Sequence, residues 1–142
     1  MSELSALKES TRKYLIKEMG KVHEVYKTLD KYDPELAEAV ASLRKAAVSG
    51  DETVLPAKYR ELIMIAVEVA TGRGEKGKSH ARKAVRAGAS PREVQAAVAI
   101  CLYLVGMSSW VDGGWESVIA AEEETERMRK GKSFSWSSRV KR

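Results

Sequence analysis

The sequence predicts an all-α fold, a single-domain antiparallel helical bundle of about six helices that assembles as an oligomer. Three observations predict it. Apolar residues recur near the 3.6-residue period along most of the chain. No alternating apolar run bounded by turn residues occurs anywhere. Helix start and stop residues divide the chain into pieces joined by short connections, which favours antiparallel neighbours. The 142 residues suit one ordinary domain, with residues 1–128 as the helical domain and 129–142 as a basic, flexible tail.

Taken in order, Leu4, Leu7, Leu15, Val22, Tyr26 and Leu29 recur at helical spacing with charges between them, and Gly20 is where that first helix kinks or breaks. His23 has no acidic or cysteine partner at ligand spacing and reads as a surface or packing histidine. Asp33 as N-cap, Pro34 at the first helical position and Glu35 and Glu38 behind them start a second helix that runs to about Val48, before Ser49, Gly50 and Asp51. Pro56 opens a third, with Leu62, Ile63, Ala66, Val69 and Ala70 on the helical period and Gly72 and Gly74 closing it. A short fourth helix from about Glu75 to Ala87 stops at Gly88. Ser90, Pro91 and Glu93 supply an N-cap, a first-position proline and a capping-box acid for a fifth, which ends near Val105. That helix is almost wholly apolar after Gln95, so it is expected to be the central buried one, with partner subunits covering part of it. A last helix follows Gly106, from about Ser109 to Arg129.

The net charge of +5 is concentrated at one end. Arg129, Lys130, Lys132, Arg139, Lys141 and Arg142 are six of the 25 cationic residues, and without them 19 cations face 20 acids in residues 1–128. Phe134 and Trp136 would let such a tail touch nucleic acid through stacking and phosphate contacts. A solvated or subunit-wrapping tail is the favoured reading, and nucleic acid is not an expected partner. The longest apolar run, AAVAICLYLVGM, is shorter than the roughly 20 residues a membrane span needs. The opening MSELSALKES lacks a basic and then apolar leader pattern, so the expected location is cytoplasmic. Cys101 is the single cysteine, which excludes an intrachain disulfide and a CxxC motif; its apolar flanks suit a buried, inert thiol.

Chemistry concentrates between Tyr59 and Gly88. Glu61 precedes His80 by nineteen residues, across a glycine-rich turn. An imidazole, with an ordinary pKa of about 6.5, can both take and give a proton near neutral pH, and Glu61 would orient or tune it. Lys76 lies four residues before His80 and Arg73 seven, so the three can line one helix face. Neighbouring cations favour the neutral imidazole, the form that acts as a base. From spacing alone, a surface histidine among lysines competes with this reading and is favoured over it.

A larger pattern surrounds the pair. Arg60, Glu61 and Leu62 open a helix, His80 follows nineteen residues after the glutamate, and Gly88, Ala89, Ser90 and Glu93 form a Gly-Ala-Ser-x-x-Glu turn before the apolar helix that Gly106 ends. Over residues 58–125 this resembles the carboxymuconolactone decarboxylase superfamily, which also contains the thiol-dependent alkylhydroperoxidase D proteins. The resemblance implies an alkylhydroperoxidase D-like helical fold in a homo-oligomer, a trimer or a hexamer. In the hydroperoxidase branch, cysteines stand seven and four residues before the histidine. Here those positions are Arg73 and Lys76, which form neither a sulfenic acid nor a disulfide, so thiol peroxidase chemistry is disfavoured.

The cysteine-less decarboxylase branch is the better match, with Gly72 and Arg73 before the histidine and Arg82 after it. It implies loss of carbon dioxide from a small carboxylated, lactone-like substrate, with no metal and no cofactor, His80 and Glu61 as the catalytic pair and His80 as proton donor or shuttle. Arg73, Arg82 and Lys76 are candidates for holding the substrate carboxylate, which a guanidinium binds through two parallel hydrogen bonds. After Gly106 this chain carries Met107, Ser108, Ser109, Trp110, Val111 and Asp112 where that branch has a proline, small residues and an asparagine. Trp110, with Trp115 beyond two glycines, is therefore a candidate for stacking on a flat ligand or, equally, a core or interface aromatic. The alternative to a lyase is a non-catalytic fold homologue that serves as a binding or scaffold protein.

Overall fold

The computed structural model describes residues 6–139, with side chains as far as residue 131. Leu4, the side chains of Lys132, Phe134, Trp136 and Arg139, and residues 140–142, on which part of the first-helix and tail readings fall, lie outside the described part. Among the described residues every regular element is a helix, as the periodicity predicts, and none is long and apolar enough to cross a membrane. The apolar residues gather into two clusters, and the chain divides into two compact units, Met1–Gly50 and Asp51–Arg142.

The first unit holds α1 (Glu9–Met19), α2 (Glu24–Tyr32) and α3 (Pro34–Val48). Gly20 ends α1 in the left-handed conformation at φ 78°, its N–H returning to the Ile16 carbonyl, so the long first helix expected from the periodicity is broken rather than bent. Asp33 caps α3 by accepting from the Leu36 N–H at 3.0 Å. Leu7, Leu15, Tyr26, Ala37 and Ala41 are buried together. His23 precedes α2 and is exposed, as a surface histidine should be.

The second unit holds α4 (Ala57–Ala70), α5 (Gly74–Arg86), α6 (Pro91–Val105), a three-residue turn α7 (Met107–Ser109), a π-helical segment Trp110–Gly114, and α8 (Trp115–Arg139). Ser90 and Glu93 form the complete capping box at the start of α6. The core joins Ile65 and Val69 of α4, Ala81, Ala84 and Val85 of α5, Val94, Val98 and Cys101 of α6, and Ala120 and Ala121 of α8. A fully buried Ile65 alone contributes about 1.5–3 kcal/mol of hydrophobic stabilisation.

Within one chain the two helices α5 and α6 are covered differently, and the uncovered part of α6 is what the sequence reading assigns to partner subunits. The apolar α6 is covered on one face only: Val94, Val98 and Cys101 are buried, while Ile100, Tyr103, Leu104 and Val105 are exposed. The polar α5 packs closely against α4 and α8, as α6 does with its buried face, because the inward residues of α5 are small. A Cβ on Gly74 would sit 2.5 Å from the Gly113 Cα and the Asp112 carbonyl oxygen, and one on Gly77 would sit 2.7 Å from Ser117 Oγ. Gly113, at φ 141°, kinks the chain at that contact, so the last long helix starts at Trp115 rather than near Ser109, and it continues past Arg129.

Candidate active site

Glu61 stands on α4 and His80 on α5. The turn between the helices decides whether they meet. Gly72, at φ 73°, closes α4: the Gly72 N–H bonds back to the Val69 carbonyl at 3.2 Å and the Arg73 N–H to the Glu68 carbonyl at 2.7 Å. This doubly bonded ending reverses the chain within three residues. The rise along α4 is then retraced along α5, which returns His80 to the level of Glu61. His80 Nδ1 lies 2.7 Å from Glu61 Oε2. Their side chains are only 19% and 15% exposed, so the pair is sheltered but not sealed.

The pairing assigns roles to the two ring nitrogens. A carboxylate only accepts, so Nδ1 is the donor to Glu61 and Nε2 is the nitrogen left to exchange a proton with a bound molecule. Glu61 also holds the ring in one orientation. The arrangement can therefore act as an acid or a base.

The other candidates fall into different places. Lys76 is one helical turn before His80 on the same face of α5, exposed, and without an ion pair among the described residues. Arg73, just before the helix, donates through Nε to Glu68 Oε2 at 2.7 Å. Arg82 is roughly 160° around α5 from His80 at 3.6 residues per turn. It faces α8, where its Nη2 lies 3.5 Å from Glu123 Oε2. Trp110 packs half-buried against the core. The structure thus brings Glu61 to His80, leaves Lys76 beside them, and does not place Arg82 or Trp110 in that pairing.

Arg82 lines a cavity of about 230 Å³ with Lys78, Trp115, Glu116, Ile119, Ala120 and Glu123. Sequence reasoning overlooked Lys78, Glu116, Ile119 and Glu123 there. The signal was present as four-residue spacings, Lys78 to Arg82 and Trp115 to Ile119 to Glu123, but the kink at Gly113 hides which face of α8 meets α5. Hydrogen bonds to Glu75 and Glu116 hold the Lys78 ammonium above its ordinary pKa. Also overlooked was Glu124, 3% exposed, which accepts from Arg86 Nε at 2.7 Å and from Arg127 Nε at 2.9 Å. Bonds from Arg127 and Arg86 hold its carboxyl down to about 2.

Cys101 is buried, 3.3 Å from the Ala66 carbonyl, and burial pushes its thiol up from the ordinary value, as befits a packing residue. Among the described residues no three His, Cys, Asp or Glu side chains gather in a way that could hold a metal ion.

The comparisons with known proteins point one way. The family model described as "Carboxymuconolactone decarboxylase family" matches residues 34–113, a span that includes both Glu61 and His80. A crystal structure from Burkholderia xenovorans LB400, of a protein provisionally assigned as a carboxymuconolactone decarboxylase, superposes with a TM-score of 0.73 at 26% sequence identity, covering 87% of this chain and 94% of that one. No curated protein matches the chain.

Proposed function

This chain belongs to the carboxymuconolactone decarboxylase family, and from that premise we propose that it is a lyase that removes carbon dioxide from a small carboxylated, lactone-like substrate, with His80 as its acid/base and no cofactor. The observation that carries the proposal is the 2.7 Å contact between His80 Nδ1 and Glu61 Oε2 on the face of α5 that also holds Lys76. The Lys76 ammonium holds the substrate carboxylate. Among the described residues Arg73 bonds a side chain only through Nε, to Glu68, which leaves its outer nitrogens for a second acceptor. The bond from the substrate carbon to the carboxylate breaks, its electron pair passes into the conjugated carbonyl, and carbon dioxide leaves. The Nε2–H of His80 then protonates carbon, and water restores that proton. Glu61 is a positioning residue: it fixes the ring through Nδ1.

The test is carbon dioxide release from a panel of carboxylated lactones by the wild type and by His80→Ala. Release that the variant matches would overturn the role of His80. The exposed face of α6, with Ile100, Tyr103 and Leu104, supports the accompanying proposal of a homo-oligomer, a trimer or a hexamer; light scattering that finds a monomer at micromolar concentration contradicts it.

One observation favours a second reading, a binding protein without catalysis. The cavity at Arg82 lies on the other side of α5 from His80. Saturable ligand binding with no turnover across the panel would select it.

A further inference from the structure

From the cavity between α5 and α8 we infer a binding site for a small, flat, aromatic carboxylate, gripped by Arg82 and stacked on Trp115. The inference does not rest on the His80 reading, because the site faces α8 rather than α4.

Charge placement carries the argument. The cavity is lined by two cations and two acids, so its sign is not obvious from composition. Lys78 is neutralised by two carboxylates: its ammonium lies 2.9 Å from Glu75 and 3.0 Å from Glu116. Arg82 is not. Its one contact among the described residues is Glu123 at 3.5 Å, at the limit of a hydrogen bond, and that carboxylate is 64% exposed. A guanidinium has five donors in a planar fork, so most of those of Arg82 remain for a ligand. Glu123 can swing into solvent when a better-placed carboxylate arrives, because a surface pair of this kind is worth only about 0.2–1 kcal/mol.

The apolar half of the site points to the shape of the ligand. Trp115 and Ile119 are one turn apart on α8, and each leaves more than two-fifths of its surface open, at 45% and 42%. An exposed indole beside a loosely held guanidinium offers a ring face and a carboxylate clamp together. The volume of about 230 Å³ is below the usual range for drug-sized ligands, so a single ring with one carboxylate is the class that fits. A cationic ligand would have to sit beside both Lys78 and Arg82, with Glu116 already paired to Lys78 through one oxygen.

The experiment is a titration of the full chain with benzoate, followed by NMR shifts of the indole N–H and the α8 amides, with benzamide as the uncharged control. Wild type should show saturable benzoate shifts centred on Trp115, with benzamide at least tenfold weaker. Arg82→Gln should weaken benzoate at least tenfold. Glu123→Gln, which removes the competing carboxylate, should tighten it by up to about fivefold. His80→Ala should bind benzoate as the wild type does, whether or not it has lost turnover. Absence of saturable binding in both wild type and Glu123→Gln, equal binding of benzamide, or indifference to Arg82→Gln would each overturn the inference. Loss of binding in His80→Ala would move the ring to the other face of α5 and overturn it as well.

Discussion

Helix α5 bonds to a carboxylate on each side, and the two bonds have the same length but opposite character. Toward α4, His80 Nδ1 meets Glu61 at 2.7 Å; toward α8, Arg86 Nε meets Glu124 at 2.7 Å. Glu124 is buried under two guanidiniums, which do not give up protons, and its carboxyl is held near 2. That contact is a strut: its charges persist across the pH range in which enzymes work. The Glu61 contact uses the side chain whose type exchanges protons near neutrality, and leaves one ring nitrogen uncommitted. A helix can thus be fastened and made reactive with the same kind of bond, the difference lying in which cation answers the carboxylate.

The largest expected effect breaks the reactive side. His80→Ala should lower turnover by about 10² to 10⁴, the contribution of a positioned acid/base, while its melting temperature stays near that of the wild type. Next is the seam that allows α5 to sit between its neighbours. Gly74→Ala forces a Cβ to within 2.5 Å of the Gly113 backbone, where no flexible side chain can yield. It should cost about 1–3 kcal/mol in urea unfolding, and an unchanged midpoint would mean that the two backbones are not in contact.

The strut should respond to acid. A carboxyl whose folded pKa is depressed from 4.5 to about 2 contributes stability that is complete above about pH 4.5 and is lost as the pH falls through 2. Glu124→Gln should therefore be less stable than the wild type at pH 7, by about 1–2 kcal/mol since both arginines are more than half exposed and can return to water. The gap between the two proteins should close toward pH 2. A gap constant from pH 7 to pH 2 would show that packing, not charge, is the contribution. The smallest effect sharpens the comparison most: Arg82→Gln should leave turnover within about twofold of the wild type. A loss as large as that of His80→Ala would place both faces of α5 in one site.

Much of the fold was legible because its signals are local. The Ser90 and Glu93 box, the Asp33 cap and the left-handed Gly20, Gly72 and Gly88 each act through hydrogen bonds spanning only a few residues. Even the Glu61 and His80 pair was within reach, since a tight reversal between two regular helices makes nineteen residues a return to the same level. Arg82 and Trp110 were harder. Arg82 differs from His80 by two residues, a small step in sequence and nearly half a turn in space. Trp110 and Trp115 lie on either side of a kink that changes the helical phase, so no periodicity carries through from one to the other.

By itself, then, the sequence determined an all-helical fold for the described residues, the helix ends that carry caps and the family to which the chain belongs through residues 34–113, because caps, turns and the helical period are properties of neighbouring residues. Tertiary structure decided which faces meet. A hydrophobicity pattern places the apolar α6 at the centre. Within one chain α6 packs on α4 and α8 with one face, and glycines and alanines let the polar α5 approach the same two helices still more closely. Close approach depends on what the opposing segment presents, the Gly113 backbone against Gly74 and the small Ser117 side chain against Gly77, and those residues lie about forty positions away.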